Sequence, residues 1–133
     1  RQQKCVNICQ ISSNMLMTII NDVLDLSKLE TGKMTLNLQN TNIIQELKSI
    51  PIIFNTQIEE KGLVFNLNID KDLPPSILCD INRLKQVIVN ILGNAVKFTL
   101  NGSITFNIDL VSKDDNKATI KFNIIDTGVG IAE

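Results

Sequence analysis

The chain has 133 residues, 44% hydrophobic and 20% charged, a balance that fits about one soluble globular domain and argues against a disordered tract. Its net charge of −1, without a basic patch, argues against nucleic acid or an anionic membrane surface as the main partner, so any phosphate binding has to be local. There is no histidine at all, which removes histidine-based acid, base, nucleophile and metal-ligand schemes in one step.

Residues 1–30 read as one long helix, with no Pro or Gly before Gly32. Cys5, Cys9, Ser12, Leu16, Ile19, Val23 and Leu26 step by four and three, a heptad seam, and Ile8, Met15, Ile20 and Leu24 widen it. So broad a stripe calls for more than one partner helix. A four-helix arrangement with a second chain, or with residues upstream, is therefore expected, although periodicity alone favours an ordinary core-facing helix. Cys5 and Cys9 share a face and Cys79 stands far off, an odd number with no framework spacing, which points to packed free thiols and a reducing interior. No apolar run approaches the ~20 residues of a membrane span, and no charged-then-apolar leader is recognisable, so an aqueous compartment is expected for these residues, cytoplasmic for this region, with membrane anchoring of a longer parent left open.

From Met34 to Leu38 apolar and polar residues alternate, predicting a short half-buried strand. Thr41 or Asn42 can cap the helix that follows. Ile43, Ile44, Leu47, Ile50, Phe54 and Ile58 carry that helix to about Lys61, with Pro51 set to kink or interrupt it and Gly62 to close it. Leu63 to Ile69 alternates as a strand, Leu73-Pro74-Pro75 is a rigid extended connector, and Ile77 to Cys79 fits a very short strand. Asp80 is a good N-cap for the next element.

That element, Asp80 to Thr99, puts Leu84, Ile88, Ile91, Ala95 and Phe98 on one helix face, with Arg83, Gln86, Asn90, Asn94 and Lys97 in a stripe beside it. Asn is a poor mid-helix residue because its amide competes for nearby backbone groups, so two of them four apart, then Lys three later, need a reason. A ligand rich in oxygen supplies one. Amide oxygens suit a hard cation such as Mg²⁺, and an ammonium suits the phosphates that bring it. Asn101-Gly102 marks a turn, and Ile104 to Ile108 and Ala118 to Ile125 alternate as two strands of a hairpin. The chain closes on IIDTGVGIAE, where a strand ends in Asp126 followed by Gly128 and Gly130. A carboxylate there can accept a hydrogen bond from an exocyclic amine such as adenine's, and the glycines hold no side chain between a ligand and the backbone. The order of elements makes an α+β sandwich after a separate long helix, with a boundary near Thr31 to Lys33.

Together, LKQVIVNILGNAVKFT and IIDTGVGIAE closely resemble the N box and first glycine box of histidine protein kinases, in the ATPase superfamily shared with gyrase, Hsp90 and MutL. Upstream, LMTIINDVLDLSKLETGKM resembles the end of the second helix of the kinase dimerisation and phosphotransfer domain. Gyrase-like and Hsp90-like members lack that run and usually carry a Glu base where this chain has Asn90.

The resemblance implies two parts: residues 1–33, the partial dimerisation helix, and residues 34–133, a Bergerat-type α/β sandwich that stops after the first glycine box. It implies ATP and Mg²⁺ as cofactors. Asn94 would be a Mg²⁺ ligand, Asn90 a second ligand or phosphate contact, Lys97 a phosphate contact and Asp126 the adenine reader, with Gly128 and Gly130 beginning the pocket wall. The implied partners are a second copy through the N-terminal helix and a response-regulator receiver domain. In the parent kinase the γ-phosphoryl group would pass to a histidine, then to an aspartate of the receiver, a transfer that depends mainly on positioning and charge neutralisation. The H box is expected before Arg1, and the phenylalanine and second glycine boxes, with their lid and last strands, after Glu133. The stretch itself holds no phosphoacceptor histidine and is not expected to act alone; without those strands an open apolar sheet edge is expected. A degenerate nucleotide-binding and dimerisation module is the alternative reading, and an unrelated α+β domain the third.

Overall fold

A computed structural model describes residues 1–131 and divides the chain into two compact units, Arg1–Leu36 and the remainder from Asn37. The first unit is essentially one helix, α1 (Gln2–Glu30). It ends as its sequence predicts: the Gly32 N–H donates to the Leu29 carbonyl at 3.2 Å and the Lys33 N–H to the Lys28 carbonyl at 2.9 Å, closing the last turn in the glycine-terminated manner. None of its residues is buried, and Leu16, Ile19 and Val23 of the heptad seam are all more than half exposed. Cys5 and Cys9 are free thiols as expected but exposed rather than packed, because nothing in the unit covers the face they share.

The second unit is α+β. A two-stranded antiparallel ladder pairs β1 (Gln39–Thr41) with β3 (Ile77–Cys79). A three-stranded sheet runs β2 (Val64–Ile69), β4 (Ser103–Lys113), β5 (Ala118–Asp126), with β2 parallel to β4 and β4 antiparallel to β5. The helices are α2 (Ile43–Ser49), a 3-10 turn at Pro51–Phe54, α3 (Asn55–Glu60) and α4 (Ile81–Phe98). Pro51 has no N–H to give to the preceding turn, so the helix expected from Ile43 to Lys61 breaks into these three pieces. Of the two candidate caps it is Asn42 that accepts from the Gln45 N–H, at 3.2 Å.

The strand expected at Met34–Leu38 is not formed. The short ladder is set by β3, which pairs with Gln39, Asn40 and Thr41, and the Asn37 N–H goes to the Asp80 carboxylate at 2.9 Å. Leu36 and Leu38, whose alternation suggested the strand, are exposed.

One core lies between the helices and the inner face of the sheet. Ile104, Phe106 and Ile108 of β4 are wholly buried at alternate positions, flanked by Phe65, Leu67 and Ile69 from β2 and by Ile120, Phe122 and Ile124 from β5. Helices α2, the 3-10 turn and α4 close over them with Ile43, Leu47, Ile50, Phe54, Ile88, Leu92 and Val96. On α4 the buried line is Ile88, Leu92, Ala95 and Val96; Ile91 and Phe98, expected on the core face, are about half exposed.

Topology then places the polar stripe. A parallel β2–β4 pair needs a crossover, and α4 is the helix of that crossover. A short turn leads from Phe98 into β4, and β5 runs back antiparallel, so that Asp126 ends opposite Ile104, beside the end of α4.

Candidate functional site

Asp80 starts α4 as a true N-cap. Its carboxylate accepts the Arg83 N–H at 3.1 Å as well as that of Asn37 at 2.9 Å, and these backbone donors, Asn37 first, hold it below the usual carboxylate range. Asp70 is lowered in the same way by the backbone N–H groups of Asp72 and Leu110, which ties the end of β2 to β4. An ion pair between Lys85 and Glu46 links α4 to α2.

At about 100° per residue, Asn94 lies about 60° round the helix from Ile91 and about 40° from Phe98, which explains why these two apolar side chains stay out of the core. All three line a hollow of about 210 Å³ together with Ala95, Ile124, Asp126, Gly130 and Ile131. Three of the six candidate residues, Asn94, Asp126 and Gly130, therefore meet in one place. Asn90 is exposed one turn earlier on α4 and does not line the hollow. Lys97 does not line it either; its ammonium sits 5.2 Å from the ring centroid of Phe98, a residue that does. The side chains of Asn90 and Asn94 are exposed and make no hydrogen bond among the described residues, and an amide oxygen is a donor of the type a hydrated Mg²⁺ takes. No group of three His, Cys, Asp or Glu that could hold a metal occurs among the described residues.

Gly128 does its work behind the hollow. Its N–H donates to Asp126 Oδ1 at 2.8 Å, which orients the carboxylate through one of its two oxygens. A Cβ at Gly128 would stand 2.7 Å from that Oδ1 and 2.7 Å from the Phe98 carbonyl oxygen, so only glycine lets the loop lie against the end of α4. The Val129 N–H completes the contact at 3.4 Å from the Phe98 oxygen, and Gly130 adopts φ +73°. Ala132 and Glu133, which close the motif, lie outside the described residues.

Two residues emerge that the sequence reading did not single out. Thr127 Oγ1 accepts the Ser103 N–H at 3.0 Å while its own N–H donates to the Ser103 carbonyl at 3.1 Å, pinning the loop to the start of β4. Gly102 is bare because a Cβ there would collide with the Thr127 hydroxyl. A hydroxyl residue inside Asp-Thr-Gly is a recognisable turn signal. Lys61 is the other: its ammonium reaches the end of α4 and donates to the Val96 carbonyl at 2.6 Å.

Residues 79–133 match the histidine kinase-, DNA gyrase B- and HSP90-like ATPase family. The signal transduction histidine-protein kinase BarA of Escherichia coli strain K12 is 39% identical over 132 residues, 99% of this chain and 14% of BarA. The chain carries a segment of a histidine kinase ATPase domain. Among solved structures, this ATPase segment and its preceding helix resemble the Acinetobacter baumannii histidine kinase AdeS with a TM-score of 0.74 at 22% identity, covering 90% of this chain and 57% of that one, a likeness of fold. Full-length ShkA, solved in complex with AMPPNP, matches with a TM-score of 0.73 at 31% identity, over 91% of this chain and 25% of ShkA. The histidine kinase segment thus spans 14% of BarA, 25% of the ShkA chain and 57% of the AdeS chain. Among its described residues no helix is long and apolar enough to cross a membrane.

Proposed function

We propose that this stretch supplies a Mg·ATP half site to a two-component histidine kinase, with α1 as its dimerisation helix. The observation that carries the reading is the single hollow lined by Asn94, Asp126 and Gly130, with Asn90 one turn away and Lys97 beside Phe98. At about 210 Å³ it is smaller than the roughly 300–1,000 Å³ of a whole ligand pocket, the size for a base rather than a nucleotide. Its apolar walls, Ile91, Phe98 and Ile124, would take the faces of adenine, and the second Asp126 oxygen its exocyclic amine. Asn94 would hold Mg²⁺, Asn90 would add a second oxygen or touch a phosphate, and Lys97 would swing from the Phe98 ring to the phosphates. Bound Mg²⁺ supplies charge neutralisation for phosphoryl transfer. The ShkA complex with AMPPNP, at 31% identity, supports the ligand class.

The acceptor histidine and the receiver domain of a response regulator would come from outside this stretch, which has no histidine. The exposed heptad seam of α1 supports pairing with a second copy. The presence of Asn90, Asn94 and Asp126, with the Asp126 carboxylate held by only one hydrogen bond among the described residues, favours an active parent over a degenerate module. In the full-length protein, Asn94→Ala is expected to abolish Mg·ATP binding by titration calorimetry while leaving the unfolding midpoint in place. Unchanged nucleotide affinity in that variant would refute the assignment.

A further inference from the structure

We infer that Lys61 is a positioning residue: it fixes the C-terminal turn of α4 and, through that turn, the glycine loop, an inference that rests on the nucleotide reading of the site for its functional consequence. Lys61 is the C-cap of α3, followed by Gly62 at φ +62°, which turns the chain into β2. A lysine ahead of a glycine ordinarily serves the end of its own helix. Here the Nζ reaches another helix, donating to the carbonyl oxygens of Val96 at 2.6 Å, Lys97 at 3.1 Å and Thr99 at 3.4 Å. The last carbonyls of a helix have no partner within it and form the negative end of its dipole, so one ammonium answers three of them at once.

The carbonyl passed over is that of Phe98, and it is the one the glycine loop uses, through the Val129 N–H and the close approach of Gly128. Lysine and loop thus divide four successive carbonyls between them. Besides Lys61, the turn is held by the Thr99 N–H, which donates to the Ala95 carbonyl at 3.1 Å, while the buried Thr99 hydroxyl makes no hydrogen bond among the described residues. On the Lys61 side the turn borders a hollow of about 400 Å³ lined by Phe54, Gln57, Glu60, Gly93, Val96 and Lys97. Water entering there can take over the carbonyls if the ammonium is removed, so the fold survives. Mobile water does not fix the direction of these three carbonyls, so the Phe98 carbonyl between them, on which the loop rests, loses its aim at Val129 and Gly128.

Hydrogen exchange and nucleotide titration on the full-length protein test this together, using Lys61→Met, Lys61→Arg and, as reference, Asn94→Ala. In the nucleotide-free protein, Lys61→Met is expected to speed exchange of the Val129 amide several-fold while the β4 amides of Phe106 and Ile108 keep wild-type rates. Mg·ATP affinity should fall about ten-fold, the scale of a partly buried cation at a helix C-terminus, and Lys61→Arg should restore most of both. Asn94→Ala should lose nucleotide with Val129 exchange unchanged. Wild-type exchange at Val129 in Lys61→Met would overturn the inference, as would a uniform acceleration across Val129 and β4, the mark of a merely structural role. A wild-type protein that binds no Mg·ATP, with Val129 still responding to Lys61→Met, would support the hold on the loop and overturn the nucleotide reading.

Discussion

Two amphipathic helices in this chain meet opposite fates. Helix α1 has 29 residues and buries none, although its apolar residues keep heptad spacing over much of its length. Helix α4 has 18 and buries Ile88, Leu92, Ala95 and Val96 against the sheet and the preceding helices. Periodicity therefore states which face wants cover, not whether the same chain provides it. On α4, once the core takes one line, Ile91, Asn94 and Phe98 are left to line a hollow.

Substitutions on the two helices and on the glycine loop put that contrast to the test. Leu92 is fully buried, so Leu92→Ala is expected to cost about 2–5 kcal/mol in urea unfolding of the second unit, through lost transfer energy and a residual cavity. Gly128→Ala comes next. Its Cβ would meet the Phe98 carbonyl and the Asp126 carboxylate at 2.7 Å, so the loop must move; an effect of about 1–3 kcal/mol is expected, seen more in nucleotide affinity than in unfolding. On α1, Leu16→Ala should leave the unfolding of the second unit within about 0.5 kcal/mol of wild type and instead weaken self-association by sedimentation velocity. A full-length protein that sediments as a monomer well above micromolar concentration would count against the heptad reading of α1.

The smallest effect expected concerns acid. Asp80, Asp70 and Asp114 are all held below the ordinary value of 3.8, chiefly by the backbone N–H groups of Asn37, Asp72 and Asn116 respectively. Below that value the unfolded chain binds protons that the folded one still refuses. Stability from these carboxylates is therefore complete above 3.8 and lost as the pH falls through the lowered values. An acid titration followed by circular dichroism should show this decline in the second unit, with a shallower slope in Asp80→Asn. An equal slope in that variant would remove Asp80 from the account.

Much of the second unit was legible residue by residue. Asp80 as N-cap, Gly62 as a stop, the break at Pro51, the Ile77–Cys79 strand and the final hairpin follow from local chemistry that tertiary packing does not reverse. The candidate site was half legible: Asn94, Asp126 and Gly130 share a hollow, while Asn90 and Lys97 stand outside its lining. The misplaced strand at Met34–Leu38 has a different origin. Alternation there describes residues that could pair, and the partner, β3, aligned with Gln39–Thr41 instead.

Caps, glycines, prolines and short motifs act over a few residues, so the start of α4, the end of α1, the interruption at Pro51, the oxygen-bearing residues of α4 and the likeness of the motifs to histidine kinases were all readable from the chain alone. Tertiary structure alone decided what lies across from them. The antiparallel return of β5 carries Asp126 to the end of α4, and the reach of Lys61 lends its charge to a helix some 35 residues away rather than to its own. Both are contacts between distant segments, set by strand register and helix packing, and no local pattern encodes them.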